Sequence, residues 1–173
     1  MQQRLCADVA TGLNFEALHD ACHVQLTQVL ADVGLLRRGV LSADAALAAG
    51  VSRAFLPHGL GHSLGLQVHD VGCALRRPRA DNPWLRATID IAPGHVFTIE
   101  PGVYFIEALL GPWRTGPLAG AIDWPLVAAL APFGGVRIED DVVVPGAATG
   151  PVRNLTREWL DDSAAPSAVA RAT

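Results

Sequence analysis

Pro57-His58-Gly59-Leu60-Gly61-His62-Ser63-Leu64-Gly65-Leu66-Gln67-Val68-His69-Asp70 places three of the chain's six histidines within twelve positions and sets glycines between them. Imidazole is neutral near pH 7 and binds a metal through one ring nitrogen while a neighbour holds the other. Glycine lets backbone and ligand approach closely. A purely structural segment has little use for that combination, so the stretch points to a site. A single histidine on a strand reads as an ordinary core or surface residue; three in a glycine-spaced run favour function. Leu64, Leu66 and Val68 alternate with small or polar residues, which predicts extended structure here.

Upstream of this stretch the pattern is helical. Residues 2–10 read as a helix carrying Leu5, Ala7 and Val9, ended by Gly12. Asn14 suits an N-cap and Glu16 a first turn. Leu18, Cys22, Leu26, Val29, Leu30 and Val33 then recur at helical spacing until Gly34, giving an amphipathic helix that needs a sheet or helix to cover. A short helix is expected over 43–49 between Ser42 and Gly50. Downstream, 76–90 reads as a surface loop rich in Arg, Pro, Asp and Asn. Residues 95–100 read as a strand stopped by Pro101-Gly102, resuming over 103–106, with a helix near 124–131 and a final strand over 136–144. The residues from 161 to 173 are Ala/Ser-rich without periodicity and read as a disordered tail. Helices followed by strands place the chain in the α+β class.

Composition narrows the classes. The 173 residues are 50% hydrophobic and 17% charged, with a formal net charge of -4, so the chain is globular and carries no sign of a nucleic-acid or membrane-surface partner. No apolar run approaches the length of a membrane span, and Met1-Gln2-Gln3-Arg4-Leu5 lacks the apolar core of a signal peptide. Cys6, Cys22 and Cys73 are odd in number and widely spaced. They fit neither a disulfide framework nor a zinc knuckle, and read as buried apolar residues in a reducing cytoplasm.

Two strands carry carboxylates where a core strand would not want them. Glu100 projects beside Val96 and Thr98, while Arg137 and Glu139 share the face opposite Val136 and Ile138. A buried carboxylate is costly unless it is paired or bound to metal. One histidine with two glutamates makes a mixed N/O donor set suited to Mn, Zn or Fe. Each residue also has a plainer reading. Glu100 before Pro-Gly suits a surface turn, Glu139-Asp140-Asp141 a solvated acidic turn, and Arg137 a surface ion pair worth little. His19 and His23 stand at i, i+4 on the first amphipathic helix without another ligand type nearby, and His95 reads as structural.

Residues 57–70, 97–105 (Phe-Thr-Ile-Glu-Pro-Gly-Val-Tyr-Phe) and 134–144 (Gly-Gly-Val-Arg-Ile-Glu-Asp-Asp-Val-Val-Val) together closely resemble bacterial Xaa-Pro dipeptidases, the prolidases of the pita-bread metallopeptidases. Residues 105–114, ending Gly-Pro-Trp-Arg, resemble the prolidase branch rather than aminopeptidase P. The resemblance covers residues 1–160 and implies the C-terminal half of a pita-bread domain, with helices on a curved, mostly antiparallel sheet. It implies His62, Glu100 and Glu139 as metal ligands, with Glu100 also a general base or proton shuttle and Glu139 bridging two metals. It implies His58 and His69 as catalytic and substrate-facing histidines. Arg86 would bind the substrate's terminal carboxylate, and Arg137 would stand by the bridging glutamate; a guanidinium fork suits that bidentate task. The implied cofactor is Mn, with Zn, Fe or Co as alternatives, and the implied assembly is a homodimer acting on Xaa-Pro dipeptides.

The resemblance also implies two aspartate ligands in a segment like Asp-x(10)-Asp-x-x-Arg. Asp8, Glu16, Asp20, Asp32 and Asp44 do not supply that spacing, so the chain is expected to begin beyond it. A truncated chain offers at most three ligands for one weakly held metal, and its activity alone is expected to be impaired unless an N-terminal half complements it. The competing readings are an inactive remnant, a non-catalytic binding module on the same shell, and phosphotriester hydrolysis by the same metal chemistry.

Overall fold

Asn14 fixes where the longest helix begins. Its side chain accepts the Glu16 N–H at 3.0 Å, and its own amide reaches across to the Thr88 carbonyl at 3.1 Å and Asp90 at 2.6 Å. The computed structural model describes residues 1–72, 76–146 and 150–164, the last three without their side chains. The helices are α1 (Gln2–Ala7), α2 (Phe15–Asp32), α3 (Ala43–Ala48), α4 (Val51–Phe55), α5 (Glu107–Leu110), α6 (Trp124–Leu130) and α7 (Leu155–Ala164). The strands are β1 (Val96–Ile99), β2 (Gly102–Tyr104), β3 (Gly135–Arg137), β4 (Asp140–Val143) and β5 (Arg153–Asn154). No helix among the described residues is long and apolar enough to cross a membrane.

The core forms where α2 meets the sheet. Phe15, Leu18, Cys22, Leu26 and Leu30 recur every three or four residues and are each at most 1% exposed. Phe15 meets Phe97 of β1 edge to face, ring centroids 5.1 Å apart. Burying each of these large apolar side chains contributes about 1.5–3 kcal/mol. α3 and α4 cover the far side of α2, joined through Gly50, whose φ of +79 suits glycine.

All described strand pairs are antiparallel. One sheet has the order β1-β4-β5, with Thr98 opposite Asp141 and Ile99 opposite Asp140. The other pairs β2 with β3, Gly102 opposite Arg137. The second edge of β1 is taken by the histidine segment. Leu64 N–H bonds to the Val96 carbonyl, Thr98 N–H to His62 and Glu100 N–H to Leu60, at 2.8–2.9 Å.

Several expectations from the sequence are corrected here. The final strand over 136–144 is two strands in different sheets, broken at Ile138-Glu139, where Ile138 N–H turns to the Pro101 carbonyl. The first strand stops before Pro101 as expected, but its continuation, β2, pairs in the other sheet. The alternation at Leu64, Leu66 and Val68 does not make a strand. Only Ser63 bridges to Phe97; beyond Leu64 the chain turns back on itself, Gly65 N–H on the Gln67 carbonyl and Asp70 N–H on the Ser63 carbonyl, and Leu66 and Val68 are exposed. α1 stops at Ala7 rather than residue 10, since Gly12 and Leu13 turn to bond with Ile91. α4 adds a helix with no sign in the sequence, since five residues are too few to show a helical period. α7 runs to Ala164, into the stretch expected to be a structureless tail, whose remaining residues lie outside the described ones, as does Cys73. Cys6 and Cys22 are free and buried, and burial pushes their thiols up to about 11 and about 12.

Candidate metal centre

Two breaks in the strands build the site. Glu100 occupies the residue where the chain leaves β1 for β2, and Glu139 the residue where it leaves β3 for β4. Because β1 pairs with β4 and β2 with β3, the two corners face one another. The histidine segment beside β1 adds His62. One donor atom from each of His62, Glu100 and Glu139 lies within 4.8 Å of the others. It is the one group of three such side chains among the described residues that close together.

Close backbone packing sets the donors. Gly61 passes against the Thr98 backbone, where a Cβ would overlap the carbonyl oxygen. Thr98 Oγ1 accepts the His62 N–H at 3.0 Å and donates to Glu100 Oε1 at 3.1 Å. The Nδ1–H of His62 can donate to the Ser63 carbonyl at 3.2 Å, which leaves its Nε2 lone pair 3.4 Å from Glu100 Oε1. That is the tautomer a metal-binding imidazole needs. His62 and Glu100 are buried and Glu139 is exposed. Arg137 holds the two carboxylates: Nη1 is 3.2 Å from Glu100 Oε2 and Nε 3.7 Å from Glu139 Oε2. A neutral nitrogen and two hard oxygens at this spacing fit a divalent cation, and the guanidinium beside them offsets the repulsion between the glutamates.

His58, His62, His69, Arg86, Glu100 and Arg137 share the wall of one cavity of about 340 Å³. His58 Nδ1 lies 2.7 Å from the Gly59 carbonyl and Nε2 2.8 Å from the Tyr104 hydroxyl. His69, on an exposed loop and itself exposed, stacks edge-on against His62, centroids 4.2 Å apart. Arg86 is exposed at the cavity rim. All seven residues singled out from the sequence therefore meet at this corner.

Residues 1–145 match metallopeptidase family M24. The chain belongs to metallopeptidase family M24. The Xaa-Pro dipeptidase of Xanthomonas axonopodis is 45% identical over 164 residues, 90% of this chain and 36% of that protein. The one from Pectobacterium carotovorum is 44% identical over 157 residues, 87% of this chain and 34% of that protein. The chain thus spans about a third of the length of the curated relatives it matches. Among solved structures it is similar to aminopeptidase P II of Yersinia pestis, 26% identical with a TM-score of 0.60, over 90% of this chain and 29% of that one. Zinc-substituted aminopeptidase P of Escherichia coli in complex with product is 27% identical with the same score, over 91% and 29%. The fold is the pita-bread fold, in its mixed α+β form.

In this M24 site, sequence reasoning missed Tyr104 and Trp84. Burial pushes the Tyr104 hydroxyl up, against the lowering pull of Arg137. It follows Pro101-Gly102 on a strand, and nothing in its spacing ties it to His58. The acidic triplet divides its labour. Glu139 faces the site, whereas Asp140 is buried against α7, with Arg157 Nε at 2.9 Å and Asn154 Nδ2 at 2.7 Å from Oδ2. Burial and the Glu139 charge push the Asp141 carboxyl up.

His19 and His23 lie apart from this centre. Both are buried, with Nε2 atoms 3.2 Å apart, and His23 Nδ1 is 3.1 Å from Ser52 Oγ. Burial lowers them to about 4 and about 3; Arg53 adds to both shifts and His19 to that of His23.

Proposed function

We propose that this chain carries the metal and substrate groups of an Xaa-Pro dipeptidase, with His62, Glu100 and Glu139 holding a divalent cation, manganese before zinc, iron or cobalt. The observation that carries the reading is the convergence of these three donors with His58, His69, Arg86 and Arg137. When bound, the cation supplies Lewis acidity toward an amide carbonyl and a more acidic water. The remaining work falls to the side chains. Glu100 Oε2, steadied by Arg137, accepts and returns a proton. His58, fixed through Tyr104, and His69 face the scissile carbonyl and the charge that develops on its oxygen. A prolyl amide has no N–H to read, so recognition rests on the ring and the free carboxylate, which the Arg86 fork suits.

A second reading is favoured by the donor count. Three protein donors among the described residues give a weak single-ion site, which suits a chain that binds metal without turning over substrate. The family resemblance supports a homodimer, and the free, buried Cys6 and Cys22 suit a cytoplasmic protein. The test is Mn²⁺ titration by calorimetry beside cleavage of Gly-Pro and Leu-Pro, with His62→Ala and Glu100→Gln as controls. Uptake with turnover supports the first reading and uptake without turnover the second. Absence of both sinks the metal site.

A further inference from the structure

We infer that Asn82 is a positioning residue that holds Trp84 and Arg86 on the wall of the site. The kinetic part of this inference rests on the dipeptidase reading; the structural part does not.

Asn82 sits on a loop yet is 2% exposed. Its Nδ2 donates to Glu16 Oε1 at 3.1 Å and Asp20 Oδ1 at 3.3 Å, both on α2. Its Oδ1 accepts from Arg53 Nη1 of α4 at 2.6 Å. Two successive turns hinge on the same residue: its N–H bonds to the Arg79 carbonyl, and its carbonyl accepts the Leu85 N–H, each at 3.0 Å. Arg79 doubles the attachment. Its N–H donates to Glu16 Oε1 at 2.9 Å, and its Nη2 lies 2.8 Å from both Asp20 oxygens.

The hold is strong because it is mutual. Glu16 is a 5%-exposed carboxylate in the first turn of α2, and it is satisfied by groups of this loop. If the loop lifts, a buried carboxylate loses its donors while the Asn82 amide must find new partners. A buried polar group left unpaired is penalised more than the bond itself gains. The exposed Arg79–Asp20 contacts are screened by water and contribute less.

The consequence lies just beyond the anchor. Leu85 is buried against the histidine segment, where a Cβ on Gly59 would come within 2.9 Å of the Leu85 Cα. Trp84 and Arg86 flank it, and both line the cavity that holds His58, His62 and Glu100. Arg86 is a long, exposed side chain whose usefulness as a carboxylate fork depends on where its Cα is held. Fixing that position in advance removes ordering cost from binding rather than from the chemical step. Asn82 does not line this cavity but an adjoining one that it shares with His58 and Trp84, and it reaches the site through its neighbours.

The test uses the full 173-residue chain with Asn82→Ala and the isosteric Asn82→Asp, which keeps the Arg53 contact but cannot donate to Glu16. Trypsin cleavage after Arg79 and Arg86 should quicken roughly tenfold in both, with helical circular dichroism unchanged. Trp84 emission, isolated by difference from Trp84→Phe, should shift in both. In active protein, KM for Gly-Pro should rise roughly tenfold while kcat stays within about twofold. If the Asn82 variants fail to fold, Asp20→Asn, at a partly exposed residue, should move the same readouts in the same direction. Unchanged cleavage and emission in Asn82→Asp overturn the inference, as does loosened cleavage with KM unmoved in active protein. If the parent shows no turnover, the dipeptidase reading fails for this chain, and cleavage with Trp84 emission decides the anchor alone.

Discussion

Gly61 lies against Thr98 so tightly that a side chain at position 61 would overlap the Thr98 carbonyl oxygen. The contact is between two backbones, so no side-chain rotation relieves it. Gly61→Ala should therefore push the histidine segment off β1, destabilising the chain by about 1–3 kcal/mol. It should weaken Mn²⁺ uptake as well, because His62 is the next residue. Urea unfolding with metal titration checks both, and unaltered values would show that the segment can shift without cost.

Thr98 links two donors through one oxygen, taking the His62 N–H and giving its own proton to Glu100. Thr98→Val keeps the shape and removes both bonds. The His62 N–H is then buried without a partner, at a cost of about 1–3 kcal/mol. Metal affinity should fall with stability, whereas Thr98→Ser should retain most of both. Equal affinity in the Val and Thr proteins would show that the hydroxyl does not orient Glu100.

The paired histidines set a pH dependence. His19 and His23 titrate at about 4 and about 3 when folded, against 6.5 for a free histidine, chiefly because they are buried. The unfolded chain therefore binds more protons than the folded one between these values, and stability rises with pH across that window. The contribution is complete above about pH 6.5 and is lost as pH falls toward 4 and then 3. Each group adds a slope of up to about 1.4 kcal/mol per pH unit. Denaturant curves at pH 7.5 and 4.5 should separate parent from His23→Gln, the variant losing less on acidification. Parallel losses would assign the slope to other groups.

Asp140 and Arg153 make a contrast in ion pairs. The Asp140 side chain is fully buried, and although burial pulls its carboxyl upward, Arg157 and Asn154 hold it below the usual carboxylate range. Arg157→Met should destabilise the chain clearly, since the buried Asp140 charge loses its partner, although the exposure of Arg157 itself moderates the loss. Arg153→Ala breaks the Glu158 pair, in which both side chains are open to water, and should leave stability nearly unchanged. Comparable losses would mean that α7 docks by something other than Asp140.

The histidine run carried more information than any other stretch, since residue type and glycine spacing are local properties. Asn14, Ser42 and the stripe from Leu18 to Leu30 were readable for the same reason: caps and helical periods declare themselves within a few residues. What escaped is relational. A continuous run from Val136 to Val144 does not say that its halves pair with different strands, because the partners, β2 and β1, are set by the break at Glu100-Pro101 far upstream. Tyr104 meets His58 across 46 positions, and Asn82 meets Glu16 across 66, with no period to announce either. The exposed Leu66 and Val68 show the reverse failure, a strand-like alternation on a segment that turns back on itself.

The corner that gathers Glu100 and Glu139 ties cation uptake to the order in which the chain assembles. His62, Glu100 and Glu139 arise from three separated stretches and converge only once β1 has found β4 and the histidine segment has zipped along the other edge of β1. Such distant pairings close late, because each encloses a long loop. A cation held by these three residues would therefore meet a finished pocket instead of nucleating one, and by mass action would slow the reopening of that edge more than it hastened its closing.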